Sequence, residues 1–286
     1  MKNTITIFTL LFFCCITSAQ KNNTKQLSSK PSVLGVTDEI QSKQLGETRI
    51  LNIYLPEGYN KKDTITYPVI YLLDGSADED FIHVAGLVQF NNFPWIERVP
   101  KSIVVGIANI DRKRDFTFPS AVASDTKMLP TSGKSEKFIN FIEKELQPYI
   151  ESNYKGTGSK TIIGQSLGGL LVTEILFKKP QLFNKYIIIS PSLWWDNGSL
   201  LNTNPQLLSE TSGIKAYIYI GVGKEGLAPS EAPHVMEVDA NLLAEKLVAS
   251  KNKNVKTYFD YLPQENHATV THQAIFNAFR LLWTKP

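Results

Sequence analysis

Gly164-Gln165-Ser166-Leu167-Gly168 places a serine between two glycines at the junction of a β-branched run, Thr161-Ile162-Ile163, and a helical pattern. In that pattern Leu170, Leu171, Val172, Ile175 and Leu176 recur before Pro180 ends it. A strand, an abrupt turn and a helix in this order hold a hydroxyl out over a sheet edge at the positive end of the helix, and small neighbours let helix and strand pass closely. The chemistry served is nucleophilic attack on a carbonyl, with backbone amides receiving the oxyanion. A serine hydroxyl is too weakly acidic to attack unaided, so an imidazole must lie within hydrogen-bond reach.

Of the four histidines, His267 follows the last apolar run and precedes the last helical pattern. That suits the chain order serine, acid, histidine of such sites. His272 falls inside the closing helix, and His83 and His234 adjoin the wrong elements. A carboxylate should orient the imidazole from the loop after the penultimate strand, where Glu225 stands; Asp239, Glu231 and Asp196 are rivals, and a serine and histidine acting without a close carboxylate are the remaining alternative. The two oxyanion amides are expected from Leu167 and from the turn at Gly75 or Ser76. Trp194 and Trp195 follow a strand end and could wall a pocket for a bulky acyl group, or belong to the core. Arg112, Lys113 and Arg114 are a basic triplet in a long loop, a pattern more often solvated than functional. The histidines are too scattered for metal-ligand spacing, and no phosphate-cradling or nucleic-acid motif stands out, so no cofactor is expected.

The elements that must position these groups alternate along the chain. Residues 48–56 alternate as a half-exposed edge strand, whereas 67–73 and 102–108 read as strands buried on both faces. Residues 78–100 hold a short helix and a loop, and 109–131 show no periodicity, a length of loop that is usually functional or disordered. Ser132 opens a helix with Phe138, Phe141, Ile142, Leu146, Tyr149 and Ile150 on one face, bent or closed by Pro148. Strands over 185–190, 214–221 and 256–262 and helices over 234–250 and 269–283 complete the pattern. Such alternation predicts a single α/β domain with a mostly parallel sheet covered by helices on both faces.

The chain has 286 residues and a formal charge of +3, too near neutral to argue for nucleic acid or an anionic membrane. Lys2, the apolar run 5–16 and the small residues Thr17-Ser18-Ala19 read as a secretory signal over residues 1–19. That run is shorter than the roughly 20 residues needed to span a bilayer. Both cysteines, Cys14 and Cys15, lie within it. The expectation is an exported protein, periplasmic or secreted, with a flexible leader over 20–32 and a folded domain over 33–286 that needs no disulfide.

Several stretches together resemble the "Putative esterase" family of the α/β-hydrolase superfamily, which includes the enterochelin, salmochelin and ferri-bacillibactin esterases. They are Leu51-x-Ile53-Tyr54-Leu55-Pro56-x-Gly58-Tyr59, Tyr67-Pro68-Val69-x-Tyr71-Leu72-Leu73-Asp74-Gly75, Arg114-Asp115-Phe116-Thr117, Gly164-Gln165-Ser166-Leu167-Gly168-Gly169 and Ser190-Pro191-Ser192-Leu193-Trp194-Trp195. The resemblance implies an α/β-hydrolase fold and a serine esterase with Ser166 as nucleophile and His267 as base. It further implies a small-molecule ester substrate, with Trp194, Trp195 and Arg114 carried into a pocket suited to an aromatic, anionic siderophore. Acylated or feruloylated polysaccharides are the alternative substrates. Acyl transfer to an alcohol and a non-catalytic binding protein on the same scaffold are the alternative activities.

Overall fold

The computed structural model describes residues 27–62 and 64–283. The expected signal, its two cysteines and most of the leader lie outside the described residues. Leu34–Pro286 forms one compact unit, and residues 27–33 before it carry no helix or strand.

The strands are β1 (Gly35–Ser42), β2 (Glu47–Tyr54), β3 (Tyr67–Leu72), β4 (Ile103–Ile107), β5 (Gly156–Gln165), β6 (Lys185–Ile189), β7 (Ala216–Gly223) and β8 (Val255–Leu262). They make one eight-stranded sheet in the order β1-β2-β4-β3-β5-β6-β7-β8. The β1–β2 and β2–β4 pairs are antiparallel, and the rest of the sheet is parallel. β4 and β6 are rich in Ile and Val because the middle of a parallel sheet is covered on both faces. β2 was expected at the sheet edge; that place belongs to β1, whose GVTDEIQS is half exposed and lacks a hydrophobic alternation.

The helices are α1 (Phe81–Asn91), α2 (Arg112–Phe116), α3 (Ala123–Met128), α4 (Ser135–Phe141), α5 (Gln147–Tyr154), α6 (Leu167–Lys178), α7 (Trp195–Gly198, a single turn), α8 (Met236–Val248) and α9 (Val270–Leu282). A π-helical turn, Ile142–Leu146, joins α4 to α5, so the helix expected from Ser132 runs on through Pro148, which sits in the first turn of α5. The π-helical turn falls directly before the proline, whose missing N–H cannot make the ordinary bond four residues back. The stretch 109–131 holds α2 and α3, helices too short to show a periodicity.

Helices α1 and α9 pack with Ile70, Leu72, Val104, Ile163, Ile187 and Ile189 on one face of the sheet. Helices α4 to α6 and α8 pack with Val69, Tyr71, Val105, Ile162 and Ile188 on the other. In a parallel sheet covered this way, the loops beyond the carboxyl ends of the strands share one rim. Gly75 in the turn after β3 lies so near β4 that a Cβ there would stand 2.3 Å from Cα of Gly106. Only glycine permits that approach.

Candidate active site

Ser166 occupies the turn between β5 and α6 with φ 60° and ψ −119°. Such a backbone costs an L-residue about 1–3 kcal/mol and persists only where the surroundings enforce it. Here the Ser166 N–H donates to the Ile189 carbonyl at 3.0 Å, and the Ser166 carbonyl accepts from Leu170 and Ser192, each at 3.0 Å. A Cβ on Gly164 would come within 2.5 Å of the Gly168 carbonyl oxygen, and one on Gly169 within 2.9 Å of the Ile189 carbonyl oxygen. Gly168 itself would meet nothing closer than 3.4 Å. The tight crossing therefore requires Gly164 and Gly169, and Gly168 has room for a methyl.

His267 stands in the loop between β8 and α9. Its Nε2 is 3.1 Å from Ser166 Oγ, and its Nδ1 is 2.5 Å from Oε2 of Glu225. Glu225 follows β7 with its side chain only 3% exposed, whereas that of His267 is 46% exposed. The other carboxylate oxygen, Oε1, accepts from the Ser190 hydroxyl and from the Gly223 N–H. Burial pushes the Glu225 carboxyl up, but the donors from His267, Ser190 and Gly223 outweigh it and hold it below the usual carboxylate range. Glu225 is therefore ionised at neutral pH and accepts only, so Nδ1 carries the imidazole proton and Nε2 presents a lone pair to Ser166. Three further hydrogen bonds fix these loops. Glu237 accepts from the Glu225 and Gly226 N–H groups at 2.8 and 2.9 Å, and Gln165 Nε2 donates to the His267 carbonyl at 2.9 Å.

The rival acids are engaged elsewhere. Asp239 pairs with His234 at 2.9 Å, Asp196 accepts from Ser120 and Ala121, and Glu231 lines a separate cavity beyond Trp194. His272 faces His83, with ring nitrogens 3.1 Å apart.

Ser166, Leu167, Glu225 and His267 open on a cavity of about 750 Å³. Its walls are largely apolar, with Ile110, Leu129, Trp194, Leu227 and Met236 among them, and it also takes in Arg112 and Lys113. A hydroxyl, an imidazole and an ionised carboxylate hydrogen-bonded in series beside such a cavity can deliver an alkoxide-like oxygen to a bound carbonyl and return the proton to a leaving group.

The family described as "Putative esterase" matches residues 42–275. The chain belongs to this family. The ferri-bacillibactin esterase BesA of Bacillus subtilis (strain 168) is 30% identical over 247 residues, spanning 82% of this chain and 85% of that protein. An IroE-like serine hydrolase from Shewanella oneidensis superposes with a TM-score of 0.75 at 32% identity, over 87% of this chain and 80% of that one. The BES protein from Bacillus cereus gives a TM-score of 0.76 at 29% identity, over 92% of this chain and 100% of that one.

Four residues expected at the site do not line the cavity. Arg114 does not line the cavity; its guanidinium binds Glu47 at 2.6 Å and Asp115 at 2.8 Å, in a cluster with the buried Arg49. Arg112 takes the place foreseen for it, gripping Asp74 through Nε at 2.6 Å and Nη2 at 3.0 Å and donating to the Gln165 carbonyl at 3.1 Å. About half a helical turn decides this, since residues two apart in α2 leave the axis on opposite sides. Trp195 is fully buried with its indole N–H on the Phe118 carbonyl at 2.8 Å, so Trp194 alone of the pair reaches the cavity. The Gly75 N–H is spent on the Ile107 carbonyl at 3.0 Å, and neither Gly75 nor Ser76 lines the cavity. Leu167 is the first residue of α6, so its N–H has no carbonyl one turn back and remains available to an oxyanion.

Among the described residues, no group of three or more His, Cys, Asp or Glu is gathered to hold a metal ion. No described helix is long and apolar enough to cross a membrane.

Proposed function

We propose that the chain is an exported serine esterase that hydrolyses a siderophore ester through an acyl-enzyme. The series Ser166–His267–Glu225 at the mouth of the cavity carries this reading. In the first half-reaction the Ser166 hydroxyl proton passes to His267 Nε2 as Oγ bonds to the ester carbon, and the carbonyl electron pair moves onto oxygen. The Leu167 amide receives that oxyanion. Collapse expels the alkoxide, which takes the proton from Nε2. Water then repeats the sequence and releases the acid. Glu225 stays ionised throughout and stabilises the imidazolium.

For the substrate, the family relation to a ferri-bacillibactin esterase agrees with a wide apolar cavity that carries Arg112 and Lys113. Aromatic acyl groups bearing negative charge suit that combination. Purified enzyme is expected to hydrolyse p-nitrophenyl butyrate and ferric catecholate lactones. Ser166→Ala should abolish both activities while keeping the fold, and a fluorophosphonate should label the wild type at Ser166. Full turnover by Ser166→Ala would end the serine mechanism. Preference for feruloylated or acetylated sugars over catecholate lactones would redirect the substrate. Export is tested by the N-terminus of the mature protein, expected to be Gln20.

A further inference from the structure

The turn Ser190-Pro191-Ser192, which leaves β6, touches both ends of the proposed catalytic series. Ser190 is fully buried with φ 40°, a left-handed backbone that a residue other than glycine adopts only under constraint. The constraint is visible: the Ser190 N–H donates to the Gly221 carbonyl at 2.7 Å, and Pro191 is packed so closely on α6 that a Cβ at Gly169 would come within 2.9 Å of its Cα. So held, the Ser190 hydroxyl donates to Oε1 of Glu225, the oxygen that His267 does not use. Two residues on, Ser192 is 3% exposed, binds the Ser166 carbonyl through its N–H at 3.0 Å, and places its own Oγ 3.4 Å from Ser166 Oγ.

We propose that this turn is a fourth working part of the esterase: the Ser192 hydroxyl donates to the attacking oxygen of Ser166, and Ser190 positions the Glu225 carboxylate. The proposal rests on the serine-esterase reading above. Direction follows from valence. His267 Nε2 offers only a lone pair, so the Ser166 O–H points to it, and of the two serine hydroxyls Ser192 is then the donor. As the Ser166 proton moves to Nε2, negative charge rises on Oγ before the forming O–C bond passes it to the carbonyl oxygen, and it rises there again when Oγ leaves the tetrahedral carbon in deacylation; a fixed donor at that atom stabilises both moments. No proton leaves Ser192. Ser190 acts through Glu225: its hydroxyl satisfies Oε1 and leaves Oε2 facing Nδ1.

The test uses Ser192→Ala and Ser190→Gly, the second chosen because glycine accepts the positive φ without strain. Both are assayed with p-nitrophenyl butyrate and a fluorophosphonate beside Ser166→Ala, with thermal melting as the check on folding. Ser192→Ala is expected to lower kcat and the labelling rate about tenfold, less than the loss of a full oxyanion donor because the contact is long, with KM unchanged. Ser190→Gly removes a donor to the charged carboxylate, which becomes more basic and favours the imidazolium, so the acid limb of the kcat/KM profile moves to higher pH. A merely structural role would lower the melting point without moving that limb. Should Ser192→Ala unfold, Ser192→Cys, of similar volume and with a weak donor, decides by the same kcat readout. If Ser166→Ala is silent while both turn variants match the wild type in kcat and pH profile, the turn proposal falls and the esterase reading stands. If Ser166→Ala retains turnover, the reading beneath it falls.

Discussion

Replacing Glu225 by glutamine should harm the enzyme more than replacing it by alanine. Glu225→Ala removes a 2.5 Å contact to Nδ1 of His267. Hydrogen bonds to charged groups contribute about 1.5–3 kcal/mol, which at about 1.4 kcal/mol per decade is about 10- to 150-fold in kcat. The imidazole, nearly half exposed, then remains free to take either tautomer. Glutamine is different because its orientation is dictated: Oε1 receives donors from Ser190 and Gly223, so the amide oxygen belongs there. The NH₂ group then faces Nδ1 and demands a lone pair, which moves the ring proton to Nε2. A protonated Nε2 on a neutral ring cannot accept from Ser166, and wrong-tautomer triads of this kind lose about 10⁴ in kcat. The expected order in steady-state hydrolysis of p-nitrophenyl butyrate is wild type, then alanine, then glutamine lower by a further tenfold or more, with KM steady within about threefold. Glutamine at or above alanine would refute the orientation argument. Both variants within about threefold of wild type would show that His267 works without the carboxylate.

The two neighbouring tryptophans should separate cleanly. Trp195→Ala empties a fully buried site and is expected to cost about 3–5 kcal/mol in chemical denaturation, whereas Trp194→Ala should raise KM for bulky aryl esters about tenfold relative to acetate and lower stability less. Gly164→Ala pushes a methyl to within 2.5 Å of the Gly168 carbonyl and should abolish fluorophosphonate labelling, while Gly168→Ala should retain it. Burial and, after it, the facing His272 lower the pKa of His83. The unfolded chain therefore protonates this ring first, so its stabilisation is present above the ordinary histidine value of about 6.5 and is lost as the pH falls from there through the lowered folded value. The Tm of His83→Gln should fall less than that of the wild type between about pH 7.5 and 5.5; parallel curves would refute the assignment.

Local patterns made the elements legible: β-branched runs for β3, β4 and β6, helical spacing for α6 and α9, and the elbow at Ser166 all express short-range periodicity or sterics. Chain order then named His267, and Glu225 led three other carboxylates in loops of similar composition. What composition did not reveal was geometry across long separations. Ser166 and His267 lie 101 positions apart, and that Asp196 is engaged elsewhere depends on Ser120 and Ala121, which only folding brings near. Strand β1 escaped because an exposed edge strand needs no hydrophobic alternation; its pairing with β2 holds it. Within one basic triplet, about half a turn of α2 sent Arg112 to the cavity and Arg114 to Glu47 and Asp115. Depth likewise divided Trp194 from Trp195, and a backbone bond to Ile107 withdrew Gly75 from the role expected of it. By itself the sequence determined the central strands, the long helices and the order of the candidate residues along the chain, because those follow from propensity and spacing. Only the tertiary structure decided which donor faces which acceptor, because hydrogen-bond direction and burial depend on atoms that packing alone makes neighbours.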